Sequence, residues 1–494
     1  MASRRNIINP PKHPTVQNNI AINRFRETIS RLCRRMIITG MCAGITVVGL
    51  GQQKNIFSPE IFIGQVVAHH PVAKQAAILK DRAGAQLLAA RGAFDPVAEL
   101  TTEQKTLDGT NYYRYTQPML KIPTAAGATL KAGWENSEGP YINPEKTNGV
   151  ASYVGVDIAV LNGLFMDKKR AVLRQAKLFL EQSEQEQRAI INDLLLDAYT
   201  SYWDWAASWQ LYKIYTAYVE VASQRMRLVR IAQSNGDRSV GDTIEAATQL
   251  MNYQLMQSAA LMDMNNKLLE LSLFLWTAEG ETYLLPENYE PAELSQSASM
   301  PLPDSMTANI SANHPEIQIQ QFKLKTLEVE RRLKLQALLP LVNLQANLLS
   351  KDYFRYDKLS TYYLENNYKY GVRVQVPIFF RQGRGDYRDV KLKIRSANLE
   401  LEQKTWQIQT KLRQYHNEAK QLQVQISQIS AMLRNYRSLL SLEELRFTQG
   451  ESSLFLVNSR ESKMLETEQK LIELQQKYIK AVYSARWAAG LLVN

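Results

Sequence analysis

Two spacings of hydrophobic and polar residues share this chain, one of two residues and one of about 3.6. In Val342-Asn343-Leu344-Gln345-Ala346-Asn347-Leu348 the even positions are apolar and the odd ones polar. That alternation predicts a strand with one apolar and one polar face. Val372-Arg373-Val374-Gln375-Val376 repeats it and stops at Pro377. Earlier in the chain Phe94, Ala98 and Leu100 alternate with Asp95, Glu99 and Thr101, and a further run spans Val154 to Val160. Successive strand residues point oppositely, so Asn343, Gln345, Arg373 and Gln375 belong on polar faces and Val374 on an apolar one.

The longer spacing fills two proline-free stretches, about 168–234 and 385–449. At roughly 1.5 Å per residue each predicts a helix about 100 Å long. They stop at matched turns, Gly236-Asp-Arg-Ser239-Val240 and Gly450-Glu-Ser-Ser453-Leu454, offset by 214 residues. Glycine suits a helix end and serine the start of the next helix. Return helices follow, about 240–277 and 454–492.

The same duplication appears elsewhere. His70-Pro71 recurs as His314-Pro315 at an offset of 244, and Pro96 recurs as Pro340 at the same offset. Between these prolines lie helical patterns at 72–93 and 316–337, with proline at the start where its missing N–H does no harm. Gly155 and Gly371 match at an offset of 216. Each half therefore reads as two strands at one end and a long helical hairpin at the other, with two short helices stacked beside each long one. The segments are a head at 1–51, a first repeat at 52–284, a linker at 285–305 and a second repeat at 306–494. Proline-rich Leu285 to Pro303 is expected to lie outside the bundle. The stretch Gly109 to Gly149, larger than its counterpart Lys351 to Tyr370, reads as an extended hairpin and an extracellular loop.

Four strands of roughly ten residues have the length of tilted outer-membrane strands, but bacterial barrels need at least about eight. Lipid does not tolerate open sheet edges. The chain is thus expected to oligomerise through its strands.

The net charge of +11 does not indicate a nucleic-acid surface. Residues 1–35 hold eight Lys and Arg against Glu27, which is +7 and leaves +4 for the rest. An uncharged run, Met36 to Gly51, follows. Basic residues before a short apolar core predict a signal peptide cleaved near Gly51, the alternative being a short N-terminal anchor. Both cysteines, Cys33 and Cys42, fall in that segment, so the mature chain has no thiol for a disulfide or a metal.

Catalytic chemistry finds little support. Arg381-Gln-Gly383-Arg-Gly385 lacks the spacing of a phosphate loop, and no nucleophile–base motif stands out. His70 and His314 sit at equivalent helix starts and read as caps; His69 and His416 lack ligand spacing. No enzymatic role, metal or cofactor is expected. Tyr199, Tyr202, Trp203, Trp205 and Trp209 read as helix packing before a substrate-contact surface.

Taken together, the paired His-Pro starts, the Gly-x-x-Ser turns, Val376-Pro377-Ile378-Phe379-Phe380 and Gly163-Leu-Phe-Met-Asp167-Lys-Lys-Arg170-Ala171 resemble the TolC-like outer-membrane efflux proteins over about residues 56–493. Leu161-Asn162 departs from the family, which has proline at that junction. The resemblance implies a mainly α protein with a membrane β-barrel: a homotrimer with a twelve-strand barrel on a twelve-helix periplasmic tunnel, in the outer membrane. It implies a passive exit duct for small molecules such as drugs or metabolites, docked to a periplasmic adaptor and an inner-membrane transporter. A duct for type I protein secretion, or a periplasmic adaptor with a coiled hairpin, are the alternatives. By the same resemblance Asp242 and Glu245 would narrow the entrance; Gly236, Ser239, Gly450 and Ser453 would form the docking tips; and Arg373, Gln375, Asn343 and Gln345 would line the barrel. Asp242 also fits a plain helix-start carboxylate favoured by the helix dipole.

Overall fold

Each half carries one helix that begins with the same device. In a computed structural model, which describes residues 55–493 apart from 144, 145, 287, 295–309, 311–313, 352 and 354–366, helix α2 spans Pro71–Gly92 and helix α5 spans Pro315–Gln336. The Nδ1 atoms of His70 and His314 accept hydrogen bonds from the N–H groups of Val72 and Glu316, both at 3.2 Å. The histidines therefore cap these helices, with proline at the first helical position. A helix not anticipated from the sequence, α1 (Pro59–His69), precedes α2 and is capped by Ser58. The basic head, the signal segment and both cysteines lie outside the described residues.

The long helices are α3, Lys168–Ser234 with 67 residues, and α6, Arg381–Thr448 with 68. Their return helices are α4 (Val240–Ser272) and α7 (Leu454–Ala488), four to five residues shorter than the sequence pattern suggested. Helix α2 lies along α3, and α5 lies between α3 and α6. Each histidine also bonds the end of the preceding return helix, His70 at the Leu273 backbone and His314 at Ala488. The short helices thus stack end to end, as their lengths require, with a histidine at each joint.

The aromatic cluster of α3 is core. Tyr202, Trp203 and Trp205 are buried against Phe57, Phe62 and Leu271, and Tyr199 stacks on Tyr483 at 3.9 Å between ring centres. Tyr202 also fixes the linker: its hydroxyl donates to the carbonyl of Phe57 and accepts from the N–H of Ala292 at 2.9 Å. These anchor a two-stranded parallel sheet of β1 (Asn55–Phe57) and β6 (Tyr289–Pro291). Leu285 and Leu294 are buried in the same core. The described part of the linker is therefore packed against the bundle rather than outside it, because its leucines have apolar surface to cover.

The sheet corrects the expected strand count. It contains β2 (Val97–Leu107), β3 (Thr110–Pro123), β4 (Ala128–Glu138), β5 (Gly149–Ala159), β7 (Leu341–Lys351) and β8 (Tyr368–Gln375). They lie in that order, and every neighbouring pair is antiparallel. Among the described residues the first half supplies four strands of this sheet and the second half two. The stretch 109–149 is mostly two further strands of this sheet. Asp108 and Gly109, with φ of 50° and 75°, turn the chain tightly between β2 and β3. Polar and aromatic residues such as Tyr113, Arg114 and Tyr115 blur the period of two in this stretch. At the Leu161-Asn162 junction the ladder runs past β5, with Val160 and Asn162 donating to the carbonyls of Val342 and Pro340.

Candidate functional site

Directly opposed residues of antiparallel strands share a face, so the register sorts the sheet into two surfaces. One carries Leu100, Leu120, Leu130, Val154, Leu344 and Val372, one from each strand and all exposed. The other carries Thr101, Gln117, Lys131, Asp157, Gln345 and Arg373. Asn343, Gln345, Arg373 and Gln375 all lie on this polar face, with Asn343 opposite Arg373, while Val374 lies on the apolar one opposite Val342. The polar face is the more enclosed: Tyr115, Tyr153 and Asn347 are buried there. Lys131 pairs with Asp157, Lys121 with Glu99, and Gln117 donates to the Tyr153 hydroxyl at 2.9 Å.

Where sheet meets helix, Arg170 binds the turn before α3. Its Nε donates to Asp167 at 2.8 Å, and its two terminal nitrogens donate to the carbonyls of Leu164 and Gly163. Asp167 caps α3 by accepting from the Arg170 N–H at 2.8 Å. This is the physical content of the Gly163-to-Ala171 motif.

At the far end the two turns have one geometry. Gly236 and Gly450 have φ of 84° and 78°. Gly236 N–H donates to the Gln233 carbonyl and Asp237 N–H to Ala232, at 3.1 and 2.9 Å; Gly450 and Glu451 do the same to Phe447 and Arg446 at 3.2 and 2.9 Å. Both are Schellman ends, which place a left-handed residue just after the helix. Ser239 and Ser453 cap the return helices by accepting from the N–H groups of Asp242 and Leu456. Asp242 closes a capping box, its Oδ2 accepting from the Ser239 N–H at 3.1 Å. Glu245 accepts from the Asn458 side chain of the second hairpin at 3.1 Å.

No family model and no curated protein sequence matches the chain. Solved structures do. The CmeC outer membrane channel of Campylobacter jejuni shares 16% identity, over 87% of this chain and 85% of that one, with a TM-score of 0.59. For CusC, whose structures concern transmembrane channel formation, identity is 13% over 91% of this chain and 95% of that one, with a TM-score of 0.63. The outer membrane protein VceC of Vibrio cholerae gives 13% identity, 87% and 96% coverage and a TM-score of 0.61. The chain has the fold of TolC-like outer-membrane channels.

Within this TolC-like fold, the residues that tie the two hairpins together near their tips were not singled out from the sequence. Arg225 on α3 donates to both carboxylate oxygens of Glu461 on α7, at 2.7 and 3.0 Å. Tyr253 on α4 donates to the same carboxylate at 3.0 Å. Seven residues along each antiparallel helix, Tyr218 donates to Glu468 at 3.2 Å. At the tips, Arg238 donates to the Phe447 carbonyl at 3.1 Å, and its guanidinium lies 4.1 Å from the Phe447 ring centre. A signal for the first pair exists: Arg225 interrupts the buried stripe Tyr218, Ala222, Val229, and Glu461 interrupts Leu454, Val457, Leu465. Matching the two interruptions requires the register between helices, which one sequence does not contain.

Among the described residues no cluster of three or more His, Cys, Asp or Glu could hold a metal ion, and no helix is long and apolar enough to cross a membrane. The latter says nothing of strands.

Proposed function

We propose that this protein is the passive outer-membrane exit duct of a tripartite efflux pump, working as a homotrimer with a periplasmic adaptor and an inner-membrane transporter. The observation that carries the reading is the two-faced sheet. It has an exposed apolar side, a polar side, and two edges, β2 and β8, that pair with no other strand among the described residues. In lipid such a sheet needs its apolar face against hydrocarbon and its edges against other copies. Helices on the order of 100 Å long then cross the space beneath the membrane. The polar face, including Asn343, Gln345, Arg373 and Gln375, lines the barrel.

Gly236, Ser239, Gly450 and Ser453 form the adaptor-docking tips, where the matched turns offer the same backbone shape twice per chain. Asp242 and Glu245 flank the entrance. Asp242 keeps one carboxylate oxygen outside its capping box, so three copies would place a ring of negative charge there. Exported cargo of drug or metabolite size fits such a duct.

The test pairs two measurements: drug accumulation in cells with and without the protein, and conductance of the purified trimer in planar bilayers. Higher accumulation on loss of the protein, together with stepwise conductance, is the expected result. A monomer that stays in the periplasmic fraction without detergent and opens no channels would overturn the reading.

A further inference from the structure

The extra strands change the dimensions of the duct just proposed. We infer that the β3–β4 hairpin belongs to the membrane wall, so that three copies close a barrel of eighteen strands rather than twelve. This deepens the duct reading and rests on it.

Several independent observations place the hairpin in the wall. It is hydrogen-bonded on both sides, to β2 through β3 and to β5 through β4. Its strands of 14 and 11 residues are long enough to span, since a tilted strand needs about 9–11. Over the helix-side half of the hairpin its apolar side continues that of its neighbours: Leu120 lies opposite Ala98 and Ala132, and Leu130 opposite Ile122 and Val156. Farther along, the same face turns polar, with Arg114 opposite Gln104 and Glu138. A hairpin folded into the lumen or above the membrane has no reason to keep Leu120 and Leu130 in phase with the apolar face of β5, β7 and β8.

The sequence repeat gives the size of the insertion. The offset between halves is 244 at the paired prolines, Pro96 and Pro340, and 216 at the paired glycines, Gly155 and Gly371. The difference, 28 residues, is within one of the 29 residues of Thr110–Glu138, which are β3, its turn and β4. In the second half β7 pairs directly with β8. In the first half β2 and β5, their counterparts by position in the repeat, are separated by one inserted hairpin.

The hairpin is also anchored at the helix-side rim. Gly127, in its turn with φ of 90°, approaches so close that a Cβ would lie 2.8 Å from the Arg170 guanidinium. Arg170 is the residue that binds the start of α3, so this turn shares a level with the other strand-to-helix junctions.

The edges then fit a ring. Six alternating strands leave β2 leading away from the helices and β8 leading back, so β8 of one copy meets β2 of the next antiparallel. An even strand count is preserved around the circle. Strands about 4.8 Å apart and tilted about 40° give a barrel roughly 36 Å across for eighteen, against roughly 24 Å for twelve. An exit of that width exerts little size selection at the membrane.

The test uses the full chain with Cys33→Ser and Cys42→Ser, which leaves no other cysteine. Single cysteines are introduced as Leu120→Cys, Leu130→Cys, Lys121→Cys and Lys131→Cys, and the proteins are placed in phosphatidylcholine liposomes. A water-soluble maleimide should label positions 121 and 131 at least tenfold faster than 120 and 130. Brominated lipid should quench a fluorophore only at 120 and 130. Equal labelling of all four, fast or slow, takes the hairpin out of the wall and overturns the inference. Single-particle density of the same trimers in nanodiscs supplies a count that does not depend on labelling: eighteen strands support it and twelve overturn it. Trimers that conduct with twelve strands would leave the duct reading standing. A chain that neither enters liposomes nor conducts would sink the duct reading itself, and this inference with it.

Discussion

Arg225 of the first hairpin holds Glu461 of the second through two hydrogen bonds, on helices more than two hundred residues apart in the chain. Glu461 is only 3% exposed. Its charge is acceptable there because Arg225, Tyr253 and the nearby Asn458–Glu245 pair surround it with donors and further polar groups. Removing one partner leaves a buried charge uncompensated, which typically costs about 3–5 kcal/mol. Arg225→Ala should therefore lower the thermal midpoint of the purified protein strongly. The double variant Arg225→Met, Glu461→Gln should lose less than the sum of its single changes. Additive losses, followed by circular dichroism on heating, would show that the pair is not coupled.

His314 gives the fold a pH dependence. Burial pushes its pKa down to about 4 from 6.5, outweighing the opposing pull of Glu316. In the unfolded chain the imidazole protonates below about 6.5, whereas the folded one resists until about 4. Its contribution is therefore full above pH 6.5 and falls away as the pH drops toward 4. That contribution is on the order of 3 kcal/mol. Protonation at Nδ1 would also displace the N–H of Glu316 that the histidine caps. His314→Asn keeps a capping side chain without the titration. Between pH 7.5 and 4.5 the parent should lose more thermal stability than this variant; equal losses would exonerate His314.

The tip glycines separate backbone geometry from contact. A Cβ at Gly236 or Gly450 would meet no atom within 4 Å, so Gly→Ala pays only the left-handed backbone, about 1–2 kcal/mol. Gly236→Pro or Gly450→Pro also deletes the N–H that closes the helix end. The proline variants should abolish efflux while leaving trimer and outer-membrane levels intact, since the sheet lies at the other end. Loss of the trimer on gels without denaturant would count against docking as the cause.

Asp242→Ala addresses the entrance. It removes a capping-box carboxylate as well as a charge, so Asp242→Asn serves as the control that keeps the shape. If a charged ring narrows the entrance, both variants should raise single-channel conductance or weaken block by divalent cations. Unchanged conductance in both would leave Asp242 as a helix cap only.

Val374 and Arg373 test the faces of the sheet. Val374→Arg puts a charge on the apolar face and should impair assembly, by about 2–4 kcal/mol near the bilayer midplane. Arg373→Ala should assemble and alter only conductance or ion preference. Equal assembly of the two in outer-membrane fractions would reverse the assignment.

The local signals in this sequence were strong wherever periodicity, proline and glycine act on their own neighbourhood. Two proline-free stretches became α3 and α6, His-Pro pairs became capped helix starts, and Gly236 and Gly450 became Schellman ends, because each depends on contacts within a few residues. The alternation at 342–348 set the faces of β7 for the same reason. The packed linker, the six-strand count and the Arg225–Glu461 clamp were decided by the tertiary structure. Leu285 and Leu294 found a core that no local pattern announces. In β3 the polar face includes Tyr113 and Tyr115, whose rings obscure a period of two until the cross-strand partners are known. Arg225 and Glu461 look like isolated faults in two apolar stripes, and only the antiparallel register of α3 against α7 makes each the answer to the other.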